Sequence, residues 1–551
     1  MPTAGFAQLV LLVLALVAVH RPFGDYLARV YTDRGHWRVE RAFYRLLRID
    51  GDSGQRWTTY AAGVLGISFA SIVLLYLMQR LQPLLPLNFG RGSVQPAMAF
   101  NTAVSFATNT NWQSYVPEQV IGHAVQMGGL TVQNFLSAAV GMAVAVALVR
   151  GFTRSGTDRI GNFWVDLIRG VVRVLLPIAA VAAVLLVALG VAMTFAPALV
   201  AVGLDGREQV IATAPIASQE AIKELGTNGG GVLNANSAHP LENPSGATNL
   251  VEIFLILVIP VSLTRAVGTM AGDRRQGRVL LSVMAVLLLV SLAVTWWAEA
   301  HPNGQAALAA GGAWEGKETR FGPYLSALFA VATTGTSTGA VNSMHDSFTG
   351  LGGGVVLLNM LLGEVAPGGV GAGLYGILVV AVLAVFLAGL MVGRTPEYLG
   401  KKLGRREITA AALSTLVMPA LVLLGAGTAV ALPSTSDAMA NPGPHGLSEV
   451  LYAYASAANN NGSAFAGLTA TGDFFQATLV LAMLLGRLVP MLAVLMLAGS
   501  LARQQRMPPT AGTLPTGGPL FAGLLGGTVV LVSALTFAPA LALGPIAEAL
   551  S

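Results

Sequence analysis

Four short uncharged stretches constrain this chain more than any other feature: Thr108-Asn109-Thr110-Asn111, Gly226-Thr227-Asn228-Gly229, Thr336-Ser337-Thr338-Gly339 and Asn459-Asn460-Asn461-Gly462. Their last residues fall at 111, 229, 339 and 462, so they recur at intervals of 118, 110 and 123 residues. Each lies between a short amphipathic segment and a long apolar one. Taken singly, a Gly-Thr-Asn-Gly or an Asn-Asn-Asn-Gly reads as a surface turn. Four in phase with long apolar runs read differently, as small polar residues brought to membrane depth. Irregular backbone is tolerated inside a bilayer only where it is buried in protein or lines a water-filled path.

Composition supports a membrane setting. Of 551 residues, 54% are hydrophobic and only 10% charged, against roughly 25% charged in a soluble domain. The net charge of +5 is small and gathers on one side, which argues against nucleic acid. The chain has no cysteine, so disulfides and thiolate metal sites are excluded, and its seven histidines show no zinc spacing. The apolar start, residues 7–19, lacks a basic flank and a small-residue cleavage site, and is read as a first span instead of a removable signal. Ten segments are long enough to cross a bilayer: 5–20, 59–79, 128–149, 170–194, 249–268, 279–299, 352–392, 410–432, 475–499 and 519–543. The seventh is too long for one crossing and is interrupted at Gly363-Glu364-Val365-Ala366-Pro367-Gly368-Gly369.

Arginine and lysine set the expected orientation. The loop after the first span holds Arg21, Arg29, Arg34, Arg38, Arg41, Arg45, Arg48 and Arg56, and alternate loops repeat the bias down to Arg503 and Arg506. The positive-inside rule then places both termini outside the cytoplasm and all four polar stretches on the outer side.

Each stretch closes a helix too short to span. In the second repeat Ser218 is expected to cap that helix, with Glu220 in its first turn, and in the fourth Ser448 and Glu449 open the equivalent one. A half-helix entering from outside points its carbonyl end, with about half a negative charge, at the pore centre, which favours a cation. Backbone carbonyls and Thr, Ser or Asn oxygens can cage a dehydrating monovalent cation such as potassium. The absence of carboxylates in the four stretches argues against calcium. The needed dihedrals suit Gly229, Gly339 and Gly462, and Asn111 holds the equivalent place in the first repeat as a non-glycine that tolerates positive φ. The fold expected is an all-α polytopic membrane protein of four span, re-entrant helix, strand, span units. Residues 1–58 supply a first span and a basic loop. Residues 59–150, 151–270, 271–400 (with its second helix broken) and 401–501 are the repeats, and 502–551 form a linker and final span.

Two soluble-protein motifs carry no weight. Gly311, Gly316 and Lys317 match a phosphate loop, but Glu318 stands where Ser or Thr belongs. Gly371, Gly373 and Gly376 match a dinucleotide fingerprint inside a span. No Asp-Lys-Thr-Gly phosphorylation sequence is present, so the chain is not by itself a P-type pump.

The strings FNTAVSFATNTNWQSY at 100–115, SQEAIKELGTNGGGVLNANSAHPLENP at 218–244, MHDSFTG at 344–350, GRTPEYLGKK at 393–402 and NPGPHGLSEVLYAYASAANNNGSAFAGL at 441–468 closely resemble the KdpA family over essentially the whole length, the tail 512–545 included. That resemblance implies the superfamily of potassium transporters, with four M1-P-M2 units around one pore. It implies a non-catalytic, potassium-binding subunit in the inner membrane of a bacterium, partnered by an ATP-hydrolysing P-type subunit, KdpB, and by KdpC and KdpF. Potassium would enter a filter formed by the four stretches and pass through an intersubunit tunnel toward KdpB, with no cofactor in this chain. The third stretch departs from the Ser-Cys-Gly form of some relatives but keeps Gly339. A self-sufficient potassium channel or symporter is the alternative.

Two intramembrane charges complete the expectations. Glu364, with the break from Gly363 through Gly368 and Gly369 to Gly373, is expected to form a constriction that gates or diverts the ion. Arg487 is expected to place positive charge near the cavity. The competing reading is a mutual ion pair, or an arginine snorkelling to an interface.

Overall fold

The computed structural model describes residues 2–303, 305–508, 510 and 512–550. Ten helices among them are long and apolar enough to cross a membrane: Thr3–Thr32, Trp57–Arg80, His123–Thr153, Phe163–Ala188, Gly246–Ala271, Arg274–Ala300, Ala372–Met391, Arg405–Ala431, Asp473–Arg503 and Pro519–Leu550. All ten expected spans are present. The first runs well past the expected 5–20, because its arginine-bearing end stays helical where Asp25 pairs with Arg265 of the fifth span at 2.8 Å. The expected seventh span is two helices, Gly350–Leu361 and Ala372–Met391, separated by an irregular passage.

Four short helices lie between the paired spans: Pro96–Ala107, Ile216–Leu225, Gly322–Thr334 and Gly443–Asn459. At about 1.5 Å per residue none of the first three reaches 20 Å, so they enter and stop. They follow the second, fourth, sixth and eighth spans and therefore share one face of the bundle. The arginine-rich loops follow the odd-numbered spans and share the other. There they bind one another: Lys401 Nζ donates to the Gln504 carbonyl at 2.8 Å, and Arg394 to that of Thr513 at 3.1 Å.

The caps differ from expectation. The second short helix starts at Ile216, two residues before Ser218, whose hydroxyl donates back to the Pro215 carbonyl at 2.9 Å. The fourth starts at Gly443, and Ser448 donates to the Pro444 carbonyl at 3.0 Å. A serine inside the first turns commonly bonds the carbonyl three or four residues back, and that local pattern mimics a cap in sequence.

Burial orders the spans. His123–Thr153, Gly246–Ala271 and Ala372–Met391 are mostly inside the protein, whereas the first and eighth present most of their surface outward. Apolar residues exposed on the latter, such as Leu14, Val17, Leu416 and Leu424, fit a lipid boundary. The main departure from an all-helical reading is an exposed hairpin on the face of the short helices. There Ala198–Val202 pairs antiparallel with Glu208–Ala212, Val200 opposite Val210. Neither strand alternates in burial, so no period-2 pattern marks the hairpin in the sequence.

Candidate functional site: four helix ends around one axis

Each short helix ends in the same way. The third residue of each polar stretch donates its N–H to a carbonyl five residues back: Thr110 to Ser105 at 2.9 Å, Asn228 to Lys223 at 2.9 Å, Thr338 to Thr333 at 3.1 Å and Asn461 to Ser456 at 2.8 Å. This is the long bond of a Schellman ending, which requires a left-handed residue just after the helix. That residue is the second of each stretch: Asn109 at φ +69°, Thr227 at +48°, Ser337 at +49° and Asn460 at +60°. Left-handed conformation at a β-branched threonine costs about 1–3 kcal/mol and persists only where the surroundings enforce it. At Thr227 they do: its Oγ1 accepts the Val370 N–H at 2.9 Å, and its carbonyl accepts from Asn109 Nδ2 at 2.7 Å.

The fourth residue is left-handed as well: Asn111 at +60°, Gly229 at +90°, Gly339 at +83° and Gly462 at +99°. Sequence placed these four as equivalents, and their backbones are alike. Each of the three glycines lies against the third-position carbonyl of the next stretch. A methyl group on Gly229 would sit 1.9 Å from the Thr338 oxygen, on Gly339 2.1 Å from that of Asn461, and on Gly462 2.0 Å from that of Thr110. The contact from Asn109 to Thr227 closes the circle. The four stretches thus meet in sequence order around one axis, although more than a hundred residues separate each from the next.

Side chains fix the ring from behind. Thr108 and Thr110 share a hydroxyl contact of 2.8 Å, and Thr336 and Thr338 repeat it at 2.6 Å. Thr108 and Thr336 also donate to helix carbonyls at Val104 and Ala332. Asn460 Nδ2 donates to Thr110 Oγ1 and to the Met483 carbonyl, both at 2.9 Å. The Asn228 amide lies against the Asn109 side chain. Asn459 is the last helical residue of its repeat, and Gly226 and Thr336 open theirs at the helix end, with Gly226 the C-terminal cap.

Sequence reasoning missed one support. Lys223, fully buried in the second short helix, contacts Glu220 at 2.7 Å and Glu242 at 2.9 Å, with Glu224 at 3.5 Å. It also donates to Asn236 Oδ1 at 3.0 Å. Asn236 Nδ2 in turn donates to the Gly229 carbonyl at 2.7 Å, and Asn236 Oδ1 accepts the Val341 N–H of the third repeat. Asn236 is thus a brace between two repeats. The signal was present in Glu220, Lys223 and Glu224, three charges within a ten-residue helix at membrane depth.

The passage between the halves of the seventh span reaches the ring directly. Gly368 N–H donates to the Gly335 carbonyl at 2.7 Å, and a methyl on Gly369 would meet Ser337 Cβ at 3.0 Å. Gly363, at φ +81°, has open space where a side chain would be. Glu364 is 2% exposed, and its Oε1 accepts from Asn461 Nδ2 at 2.8 Å. Arg487 is also buried, with Nη2 over Gly141. Glu364 and Arg487 form no ion pair within 4.0 Å among the described residues, which removes the mutual-pair reading. Instead both line one cavity of about 130 Å³, together with Ser337, Asn459 and Asn460. The cavity runs from the ring toward Leu383, Met418 and Thr536, between the seventh, eighth and tenth spans. The two dismissed motifs stay dismissed: Lys317 is buried and pairs with Glu299 at 2.8 Å, and Gly371 packs on the backbone of Gly141.

Residues 10–550 match the family described as KdpA: Potassium-transporting ATPase A subunit. Among curated proteins, the chain is 62% identical to the potassium-transporting ATPase potassium-binding subunit of Kineococcus radiotolerans, covering all of this chain and 98% of that protein. It is 63% identical to the protein of the same name from Rhodococcus erythropolis, over 98% of each. To that of Streptomyces coelicolor it is 60% identical, over all of this chain and 99% of that one. Among solved structures, the potassium transporter TrkH from Vibrio parahaemolyticus superimposes with a TM-score of 0.53 at 16% identity, covering 89% of this chain and 97% of that one. That likeness is one of fold.

Proposed function

The chain belongs to the KdpA family of potassium-transporting ATPase A subunits, and from that premise we propose that it binds potassium in the ring of four helix ends and passes it to an ATP-hydrolysing partner. The observation that carries this reading is the repeated ending: four third-position carbonyls held around one axis by left-handed residues on both sides. Helix carbonyl ends converge there and favour a cation. Cage oxygens come from the backbone, because Thr108 and Thr336 donate to their own helices, Thr110 and Thr338 pair with them, and the Thr227 hydroxyl accepts the Val370 N–H. Potassium is cargo, and the chain hydrolyses nothing. The ATPase is KdpB, with KdpC and KdpF completing the complex, and both termini lie outside the cytoplasm, as the arginine distribution requires.

The cavity below the ring supports a sideways exit. It extends between the seventh, eighth and tenth spans, with Gly363 and Glu364 of the glycine passage in its lining. Arg487 places a cation on the wall and discourages passage straight through.

The test is ATP hydrolysis by the co-expressed, purified complex, titrated with potassium, for wild type and Gly229→Asp. Potassium-stimulated hydrolysis, displaced to higher concentration in the variant, is the expected result. An unchanged response in the variant would refute the site. A chain that conducts potassium in liposomes without a copurifying ATPase would favour the self-sufficient channel.

A further inference from the structure

Between the first and second spans, on the arginine-rich face, Arg38–Leu47 form a helix that no other described part of the chain covers on its apolar side. Val39, Phe43, Leu46 and Leu47 fall at i, i+4, i+7 and i+8, one helix face. They are 52%, 43%, 76% and 50% exposed, and Trp37 just before them is 48% exposed. Arg38, Arg41 and Arg45 occupy the opposite side, all exposed. A third, narrow face holds Glu40 and Tyr44, both buried.

That narrow face is bolted down. Arg173 Nη2 binds Glu40 Oε2 at 2.6 Å, and Nη1 binds Asp33 Oδ2 at 2.8 Å. The guanidinium also stacks 4.8 Å from the Trp37 ring centroid. Glu40 Oε2 accepts the Trp37 N–H at 2.9 Å, fixing the helix start. Tyr44 packs with Val165 and Ile168 of the fourth span. The neighbouring carboxylates Asp33 and Glu40 are thereby consumed, leaving the arginines as the uncompensated charge. At ten residues the helix is about 15 Å long, too short to span, and both its neighbours in sequence are spans that end at this face.

We propose that this helix lies in the membrane interface, with its apolar face in the acyl boundary and Arg38, Arg41 and Arg45 on the phosphates of anionic phospholipid. An apolar face beside a cationic one is the pattern of an interfacial helix. Charge complementarity selects an anionic headgroup, each arginine near such a surface strengthening binding about fivefold. The rigid attachment through Arg173 means the surface is preformed. The inference does not depend on the potassium site, and its readout involves no transport.

The chain contains no cysteine, so single nitroxide labels can be placed at Phe43→Cys, Leu46→Cys and Arg41→Cys in the assembled complex in phosphatidylglycerol vesicles. Labels at 43 and 46 should collide more with oxygen than with a water-soluble nickel chelate, and the label at 41 should show the reverse. Nickel-dominated collisions at all three would place the helix in water. Shielding from both reagents would mean a partner subunit covers it. Either result overturns the proposal. In detergent, added phosphatidylglycerol should raise the Tm of the wild-type complex, while phosphatidylcholine and inorganic phosphate should not. The triple variant Arg38→Gln/Arg41→Gln/Arg45→Gln should need on the order of 100-fold more phosphatidylglycerol for the same shift. Equal response of variant and wild type, or an equal shift with inorganic phosphate alone, would refute anionic-lipid recognition.

Discussion

Gly462 has φ +99°, and a methyl group on it would overlap the Thr110 carbonyl oxygen at 2.0 Å. The smallest possible change therefore acts twice, once on backbone conformation and once on the carbonyl of the neighbouring repeat. Left-handed backbone at a residue with a side chain costs about 1–3 kcal/mol, and the overlap forces the Thr110 oxygen out of line. We expect Gly462→Ala to weaken potassium binding at least tenfold, measured as the shift in potassium-stimulated hydrolysis by the complex. Asn111 supplies the control, because it takes the same backbone, φ +60°, without being glycine. Asn111→Gly should leave the response within a few-fold of wild type, since glycine accepts that φ at no steric cost. Parallel losses in both variants would mean that side-chain chemistry, and not backbone geometry, governs the position.

At the level of helices, the fourth short helix and the last span meet through His445. Its Nε2 faces Asp346 Oδ1 at 3.1 Å and its Nδ1 faces Glu548 Oε1 at 2.9 Å. Hydrogen bonds to Asp346 and then Glu548 raise its pKa to about 10. A raised pKa stabilises the fold fully below the unfolded value near 6.5, and that contribution disappears as pH rises through the folded value. The Tm difference between wild type and His445→Gln should be greatest at pH 6 and shrink toward pH 10. A difference independent of pH would show that His445 contributes packing alone; the buried Glu449 nearby is present in both proteins. Such clusters were illegible in sequence because their members come from three distant segments, whereas the ten spans and the short helices follow from apolar length and need no partner. The four stretches were legible as a periodicity, and Gly229, Gly339 and Gly462 as the residues suited to positive φ. The left-handed Thr227 and Ser337 were not, since neither favours that region; packing against Val370 and the glycine passage imposes it. Ser218 and Ser448 misled for a local reason, their hydroxyls bonding back along helices that had already begun.

Across the whole molecule, the question is which way an ion leaves the cavity beneath the ring. Arg487 sits midway along the Asp473–Arg503 helix, and a charge at such depth costs about 2.5–3.5 kcal/mol unless a polar cavity or partner offsets it. Glu364 is not within pairing distance, so the guanidinium lines the shared cavity as a positive charge, which would repel a potassium ion on the proposed path strongly in surroundings of low dielectric. Toward Leu383, Met418 and Thr536 the cavity lining carries no charged side chain. On the proposed path a cation would meet repulsion at Arg487 and no fixed charge toward Leu383, Met418 and Thr536, which favours a lateral exit. Removing the charge should open the direct route. Arg487→Ala in the complex, reconstituted into liposomes without ATP, should leak potassium passively, and Arg487→Lys, which keeps the cation, should stay tight. Membranes equally tight with alanine at this position would assign Arg487 to structure, leaving the direct route closed by the packing of Gly141 against the glycine passage.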